Sequence, residues 1–256
     1  MHYLCRGFNF YEGVNLIVEQ GNTKLKAAIF DSGKIVSFIF VDKDETSRIE
    51  DIVRQYNPTQ GILSSVVDTD KALVDYLREH LNYFLSLDEY TPIPIRVEYE
   101  TKNTLGRDRI AAAAGACFLQ PGRDLLVIDA GTAITYEVIE SAGIYIGGNI
   151  SPGLTTRFKA LHTFTERLPL IREKNEVPLI GTSTESAILA GVVNGIVYEM
   201  DGFIDTLKSK YGDIFVFLTG GHSFYFERQL KNQIFADANL VLVGLNRILE
   251  YNAENN

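Results

Sequence analysis

The sequence predicts an α/β chain in which one structural plan is built twice, and three observations say so. Val14–Thr23 (VNLIVEQGNT) and the start of Leu125–Glu137 (LLVIDAGTAITYE) each run from branched apolar residues to an acid, a spacer and a glycine. The two share one offset: 129 − 19 and 131 − 21 both equal 110. The strands that follow keep step with it, because Ile35–Val41 has its counterpart at Tyr145–Asn149. Self-similarity of this kind weighs more than either motif alone. The third observation is the order of elements, three strands followed by helix, strand, helix and strand, which is an α/β signature.

Met1–Gly13 is aromatic and irregular and precedes the first strand. Val14–Val18, Lys26–Phe30 and Ile35–Val41 read as an antiparallel three-strand sheet, with Asp31-Ser32-Gly33 as its second turn. Thr46–Tyr56 carries Ile49, Ile52, Val53 and Tyr56 at helical spacing and stops at Asn57-Pro58. Gly61–Val67 is a buried strand, Lys71–Leu85 an amphipathic helix, and Pro92–Tyr99 a strand with edge prolines. Asn103–Leu119 (NTLGRDRIAAAAGACFL) is a helix whose alanines suit tight packing.

The second half repeats the plan. After Leu125–Ile128, Ala133–Ile139 and Tyr145–Asn149, the run Gly147–Gly153 reads as a glycine-rich loop into a helix at Leu154–Thr163. Thr165–Val177 is a polar surface connection. Gly181–Ser186 leads into a long helix, Ala187–Lys210, in which Gly191 and Gly195 suggest close packing. Ile214–Leu218 is a buried strand ending at Thr219-Gly220-Gly221, and a last strand and helix lie near Leu240–Tyr251. With a boundary near Gln120-Pro121-Gly122, the expected lobes are residues 1–120 and 121–256.

Apolar content of 46% supports a real core. A net charge of −9 argues against nucleic-acid or anionic-membrane binding, which need a basic face. Cys5 and Cys117 form no C-x-x-C pair, and His2, His80, His162 and His222 lack metal-ligand spacing. The longest apolar run, around Ile110–Leu119, is too short to span a bilayer, and the N-terminus has no signal-peptide pattern, so a cytoplasmic protein is expected.

P-loop, G-x-G-x-x-G, G-x-S-x-G and H-E-x-x-H patterns are all missing. What remains is a set of turns at strand ends. Gly131 permits close backbone approach, exposed N–H groups beside Thr132 can hold a phosphate, and Asp129 is left for a cation or water. An ordinary hairpin with Asp as turn former is the plainer reading of one such turn. Two of them, one per lobe and facing one cleft, suit a nucleoside triphosphate, with the carboxylates holding its metal. Gly106-Arg107-Asp108-Arg109 stands at a helix N-terminus, where dipole and free N–H groups favour anions.

In combination these residues resemble the type III pantothenate kinases of the actin–hexokinase–sugar-kinase superfamily, over nearly the whole chain from Val14 onward. The resemblance implies a duplicated actin-like (ribonuclease H-like) fold, two lobes around a nucleotide cleft. The family's first phosphate motif resembles Glu19-Gln20-Gly21-Asn22-Thr23, running on through Lys24 and Leu25 to Lys26, and implies ATP contacts along it. Its G-x-D-R motif is matched by Gly106–Arg109 and its substrate tyrosine by Tyr99. The D-x-G-T motif matches Asp129–Thr132, implying a monovalent cation (K⁺ or NH₄⁺) on Asp129 and ATP on Thr132. The G-G-x-I-x-P-G run matches Gly147–Gly153, and Thr184 of the G-x-x-T run implies a pantothenate contact. One position departs: the family normally has Asp where this chain has Glu19, whose reach is one methylene longer.

The implied activity is ATP-dependent phosphorylation of pantothenate to 4′-phosphopantothenate, the first step towards coenzyme A, with Mg²⁺ on the nucleotide and a homodimer as the working form. Asp108 is the expected base for the acceptor hydroxyl, a role worth about 10²–10⁴-fold, against a helix-cap aspartate. Arg109 reads as a substrate-carboxylate or phosphoryl ligand, or as a surface ion pair. Arg107, within the substrate motif, reads as a solvated side chain at a variable position. Tyr99 reads equally as a core aromatic, and Thr184 as a helix cap. The alternatives to this enzyme are a non-catalytic nucleotide-binding accessory protein and a kinase of the same superfamily for another small hydroxyl compound.

Overall fold

A computed structural model describes residues 13–21, 24–42, 45–67 and 69–255, Lys24 through its backbone only. Asn22 and Thr23 of the first phosphate motif, most of Met1–Gly13, and Cys5 lie outside the described residues. In chain order the elements are β1 (Val14–Gln20), β2 (Lys24–Asp31), β3 (Lys34–Asp42), α1 (Ser47–Tyr56), β4 (Gln60–Ser65), α2 (Lys71–His80), β5 (Tyr83–Ser86) and β6 (Arg96–Val97). A 3₁₀ turn at Lys102–Thr104 precedes α3 (Arg107–Leu119). Then come β7 (Asp124–Ala130), β8 (Ala133–Glu140), β9 (Ile144–Pro152), α4 (Leu154–Thr163), α5 (Thr184–Tyr211), β10 (Ile214–Thr219), α6 (Ser223–Glu227), β11 (Phe235–Ala236) and α7 (Leu240–Ala253).

The chain forms two compact units, Met1–Pro121 with Leu240–Asn256, and Gly122–Asn239. In the first, the sheet order is β3-β2-β1-β4-β5. β1–β2 and β2–β3 are antiparallel, while β1–β4 and β4–β5 are parallel. In the second, the strands run β9-β8-β7-β10-β11 with the same two antiparallel and two parallel pairings. The duplication is therefore topological as well as sequential. β1 and β7 even share one burial pattern along their seven residues, with the acidic residue half-buried in each. The ladders carry a matching irregularity, between Ile29 and Phe30 in one unit and between Val138 and Ile139 in the other.

The central strands are apolar on both faces because both faces are covered. In the first unit, Ile49, Ile52 and Val53 of α1 and Leu73 and Leu77 of α2 pack against Leu16, Val18, Ala27 and Ile29. α7 packs against α3, β1 and β4. Small residues bring α3 and α7 into backbone contact: a Cβ on Gly244 would lie 1.7 Å from the Ala111 carbonyl oxygen, and one on Gly115 2.4 Å from that of Leu240. In the second unit, Val193, Ile196, Met200 and Ile204 of α5 are fully buried against Leu126, Ile128 and Leu218.

Several expectations shift. Leu240–Asn256 belongs with the first unit, whereas the division at 120/121 assigned it to the second lobe, because α7 closes on α3. The helix from Lys71 stops at His80, and Tyr83–Ser86 is instead a strand paired with Gln60–Leu63. Pro92–Tyr99 is regular only at Arg96–Val97. Gly147–Pro152 is extended strand rather than loop, and Gly148 fits there because a Cβ would collide with the Tyr136 carbonyl. Gly191 and Gly195 make no close packing among the described residues, since a Cβ on either meets nothing within 4 Å there. Among the described residues one helix, α5, is long and apolar enough to cross a membrane, and it lays its apolar side chains in the core of its unit.

Candidate active site

In the first unit the acidic turn follows β1. Glu19 and Lys26 are directly opposed across β1–β2, the placement that lets opposite charges meet on a sheet. Lys26 Nζ donates to Glu19 Oε2 at 2.9 Å. Gln20 is buried, and its side-chain oxygen accepts from Ser65 Oγ at 3.1 Å while its carbonyl accepts from Val66 N. The Ser65 carbonyl in turn accepts from Arg107 Nη1 at 3.0 Å, and Arg107 Nη2 lies 3.8 Å from Glu89. Arg107 is thus not simply solvated. It ties the head of α3 to the ends of β1 and β4, bringing the G-x-D-R segment to the same end of the unit as the acidic turn.

α3 is capped by Gly106 with no side-chain cap, so Asp108 is not its N-cap. It stands in the first turn, where a carboxylate is favoured by the helix dipole. The backbone N–H of Arg109 donates to Asp108 Oδ1 at 2.9 Å. Gly106 leaves room for that oxygen, because a Cβ there would lie 2.5 Å from it. Arg109 is buried with its guanidinium carbon 5.7 Å from the centre of the Tyr99 ring, so these two expected substrate residues are neighbours.

In the second unit Asp129 closes β7, in register with Thr219 on β10 and Thr135 on β8. Two glycines make room for its carboxylate. A Cβ would come within 2.4 Å of Oδ1 at Gly220, whose φ is +91°, and within 3.1 Å at Gly131. The Ala130 carbonyl accepts from His222 N. The Thr219 hydroxyl is buried with no hydrogen-bond partner among the described residues. Thr132 stands at the tip of the turn, its carbonyl accepting from Gly153 N at 3.0 Å and Thr156 Oγ1 at 2.7 Å. Those bonds seat the head of α4 on the turn.

Thr184 is the first residue of α5 and does not cap it, since Ser183 does so through a capping box with Ser186. It lines a cavity of about 720 Å³ between α4 and α5, whose walls include Leu161, Leu168, Ile188 and Val192 together with Arg157. Sequence reasoning missed Arg157. Its Nη2 donates to Glu199 Oε2 at 2.5 Å and to Ser151 Oγ at 2.8 Å, and its Nε to the Pro152 carbonyl at 2.7 Å. Tyr136 OH and Ser151 Oγ both donate to Glu199 Oε1. Burial alone would raise the Glu199 carboxyl, but the bonds from Ser151, Arg157 and Tyr136 outweigh it and hold the group below its ordinary range. Burial and the neighbouring Glu199 push the Tyr136 hydroxyl up. The one sequence signal was a carboxylate midway along an apolar 28-residue helix.

A sequence model of the type III pantothenate kinase family matches residues 15–206. A relative from Bacteroides fragilis, named type III pantothenate kinase, is 47% identical over 93% of this chain and 98% of its own length. Among solved structures, a protein described as a Baf family transcriptional activator from Campylobacter jejuni is similar with a TM-score of 0.59 and 23% identity, over 93% of this chain and 99% of that one. A ROK family glucokinase from Streptomyces griseus, in complex with glucose and AMPPNP, gives 0.55 and 14% identity over 93% and 100%. At such identities these two share the fold, that of the actin-like ATPases and sugar kinases.

Proposed function

The chain belongs to the type III pantothenate kinase family, and from that premise we propose that it transfers the γ-phosphoryl group of ATP to the primary hydroxyl of pantothenate, the first step towards coenzyme A. The observation that carries the mechanism is the state of Asp108. One carboxylate oxygen is held by the Arg109 amide, and Oδ2 makes no hydrogen bond among the described residues, at the head of a helix tied to the first acidic turn.

Phosphoryl transfer asks little covalent chemistry of the protein and much positioning. Asp108 orients the acceptor hydroxyl and takes its proton as the O–P bond forms. Arg109, fixed against Tyr99, receives the substrate's carboxylate or the transferring group, and Tyr99, Gly106 and Thr184 complete the substrate contacts. The ATP phosphates are gripped by the segment from Glu19 to Lys26 and by Thr132. Kinases use a divalent metal in general, and Mg²⁺ with a monovalent cation, K⁺ or NH₄⁺, is the pair proposed here. Asp129 suits the monovalent ion, because Gly131 and Gly220 leave its carboxylate room and the buried Thr219 hydroxyl beside it lacks a partner among the described residues. When bound, these ions would neutralise phosphate charge during transfer. The enzyme is proposed to act as a homodimer in the cytoplasm, without nucleic acid or membrane.

The accessory-protein reading is not favoured by this family membership. A coupled ADP-release assay with and without pantothenate tests the reaction, and a panel of hydroxyl compounds tests the acceptor. Asp108→Asn is expected to remove most turnover with the fold intact. ADP release indifferent to pantothenate would end this reading, and a full rate in Asp108→Asn would end the role of Asp108.

A further inference from the structure

The cavity between α4 and α5 combines an apolar body with one cation. Leu161, Leu168, Ile188 and Val192 supply the apolar walls, and Thr184 a hydroxyl at one edge. Gly191 opens into it, since a Cβ there meets nothing within 4 Å. Arg157 stands in its wall, with only 21% of its side chain exposed. Two of its three nitrogens are committed: Nε to the Pro152 carbonyl, and Nη2 to Ser151 and Glu199. Nη1 makes no hydrogen bond among the described residues. A guanidinium pinned along one edge has already lost its rotamer freedom, so its remaining N–H groups can bind an anion at little further entropic cost. Glu199 offsets the charge of Arg157 without occupying Nη1.

From this geometry we infer that Arg157 is a specificity-determining residue, which reads the carboxylate of the acceptor in the cavity that Thr184 lines. The inference rests on the reading of the chain as a pantothenate kinase. It adds an anion contact outside the motifs that identify the family. Arg157 selects for a negatively charged end, while the apolar walls accept the carbon skeleton.

The test compares pantothenate with pantothenol, in which an alcohol replaces the carboxylate, on wild type, Arg157→Met, Arg157→Lys and Glu199→Gln. In Arg157→Met, kcat/KM for pantothenate should fall about 10- to 100-fold, the weight of one lost charge-assisted bond, mostly through KM. Values for pantothenol should stay within about twofold. Arg157→Lys keeps the charge and should fall between the two, which guards against a misfolded Met variant. Glu199→Gln removes the competing negative charge, so KM for pantothenate should drop. A pair that serves only the fold predicts loss in both Arg157→Met and Glu199→Gln, and equal loss on both substrates; either result overturns the inference. Wild type inactive on both compounds would instead sink the kinase reading. Calorimetry of pantothenate binding to wild type and Arg157→Met then decides the residue alone, with equal affinity counting against it.

Discussion

Replacing Gly244 by alanine should loosen the first unit and slow the enzyme by displacing α3. The added Cβ would lie 1.7 Å from the Ala111 carbonyl oxygen, where ordinary contact begins at 3.4 Å, so α7 and α3 must part by roughly the difference. Both neighbours are helix backbone and neither can rotate away. Overpacking of this kind costs about 3 kcal/mol at its upper range. The better helix propensity of alanine returns about 0.5–1 kcal/mol, leaving a net loss of about 2 kcal/mol. At about 2–4 °C per kcal/mol for a chain of this size, the melting temperature should fall by about 4–8 °C. Because Asp108 rides on the first turn of α3, a shift of about 1 Å should also lower kcat, by as much as about 10²-fold. Thermal unfolding followed by circular dichroism, with the ADP-release assay alongside, reads both effects. Gly202→Ala is the control: a Cβ there meets nothing within 4 Å, so it should stabilise by about 0.5–1 kcal/mol. Gly244→Ala melting at or above wild type would refute the claim that these helix backbones touch.

Gly106→Ala should separate stability from catalysis. Its Cβ would crowd Asp108 Oδ1 at 2.5 Å, and a carboxylate can swing aside, so kcat should fall about 10- to 100-fold with little change in melting temperature. Asp129→Asn should abolish any difference in rate between K⁺ and Na⁺ buffers, and a variant that still distinguishes them would remove Asp129 from the cation site. Glu250 sits near-buried on α7; burial raises its carboxyl above the ordinary range despite bonds from Asn246 and Arg247. A raised carboxyl holds its proton more tightly in the folded state, so stability is greatest below the ordinary value and falls as pH rises towards the folded one. Glu250→Gln should flatten that decline in urea unfolding measured across the acid range, and an unchanged slope would assign it to another group.

The doubled plan was legible because it leaves a local trace. Glu19 with Gly21 and Asp129 with Gly131 keep one spacing, and each stands at the end of a buried apolar run. The place of Asp108 in the first turn of α3 was legible for the same reason, as part of a contiguous motif at a helix start. What escaped depends on distant partners. Tyr83–Ser86 continues the apolar spacing of the helix before it, and only pairing with β4 makes it a strand. The Gly147–Pro152 run looks like a loop by composition, but β8 on one side draws it straight. Arg157 and Glu199 are 42 positions apart, and neither carries a local pattern that announces the other. Gly191 and Gly195 were mistaken for packing contacts because small residues mark both tight crossings and open walls. In the candidate site, the two acids and the helix head were therefore readable, while the charged wall of the cavity was not.

The placement of α7 has a consequence for how the protein is made. Gly122–Asn239 is one unbroken stretch, whereas its counterpart is assembled from both ends of the chain. On the ribosome the later-encoded unit can close as soon as it emerges, while the earlier one waits for the final helix to cover its alanine-rich surface. Nascent chains halted short of residue 240 should therefore carry one finished half and one that proteases still cut.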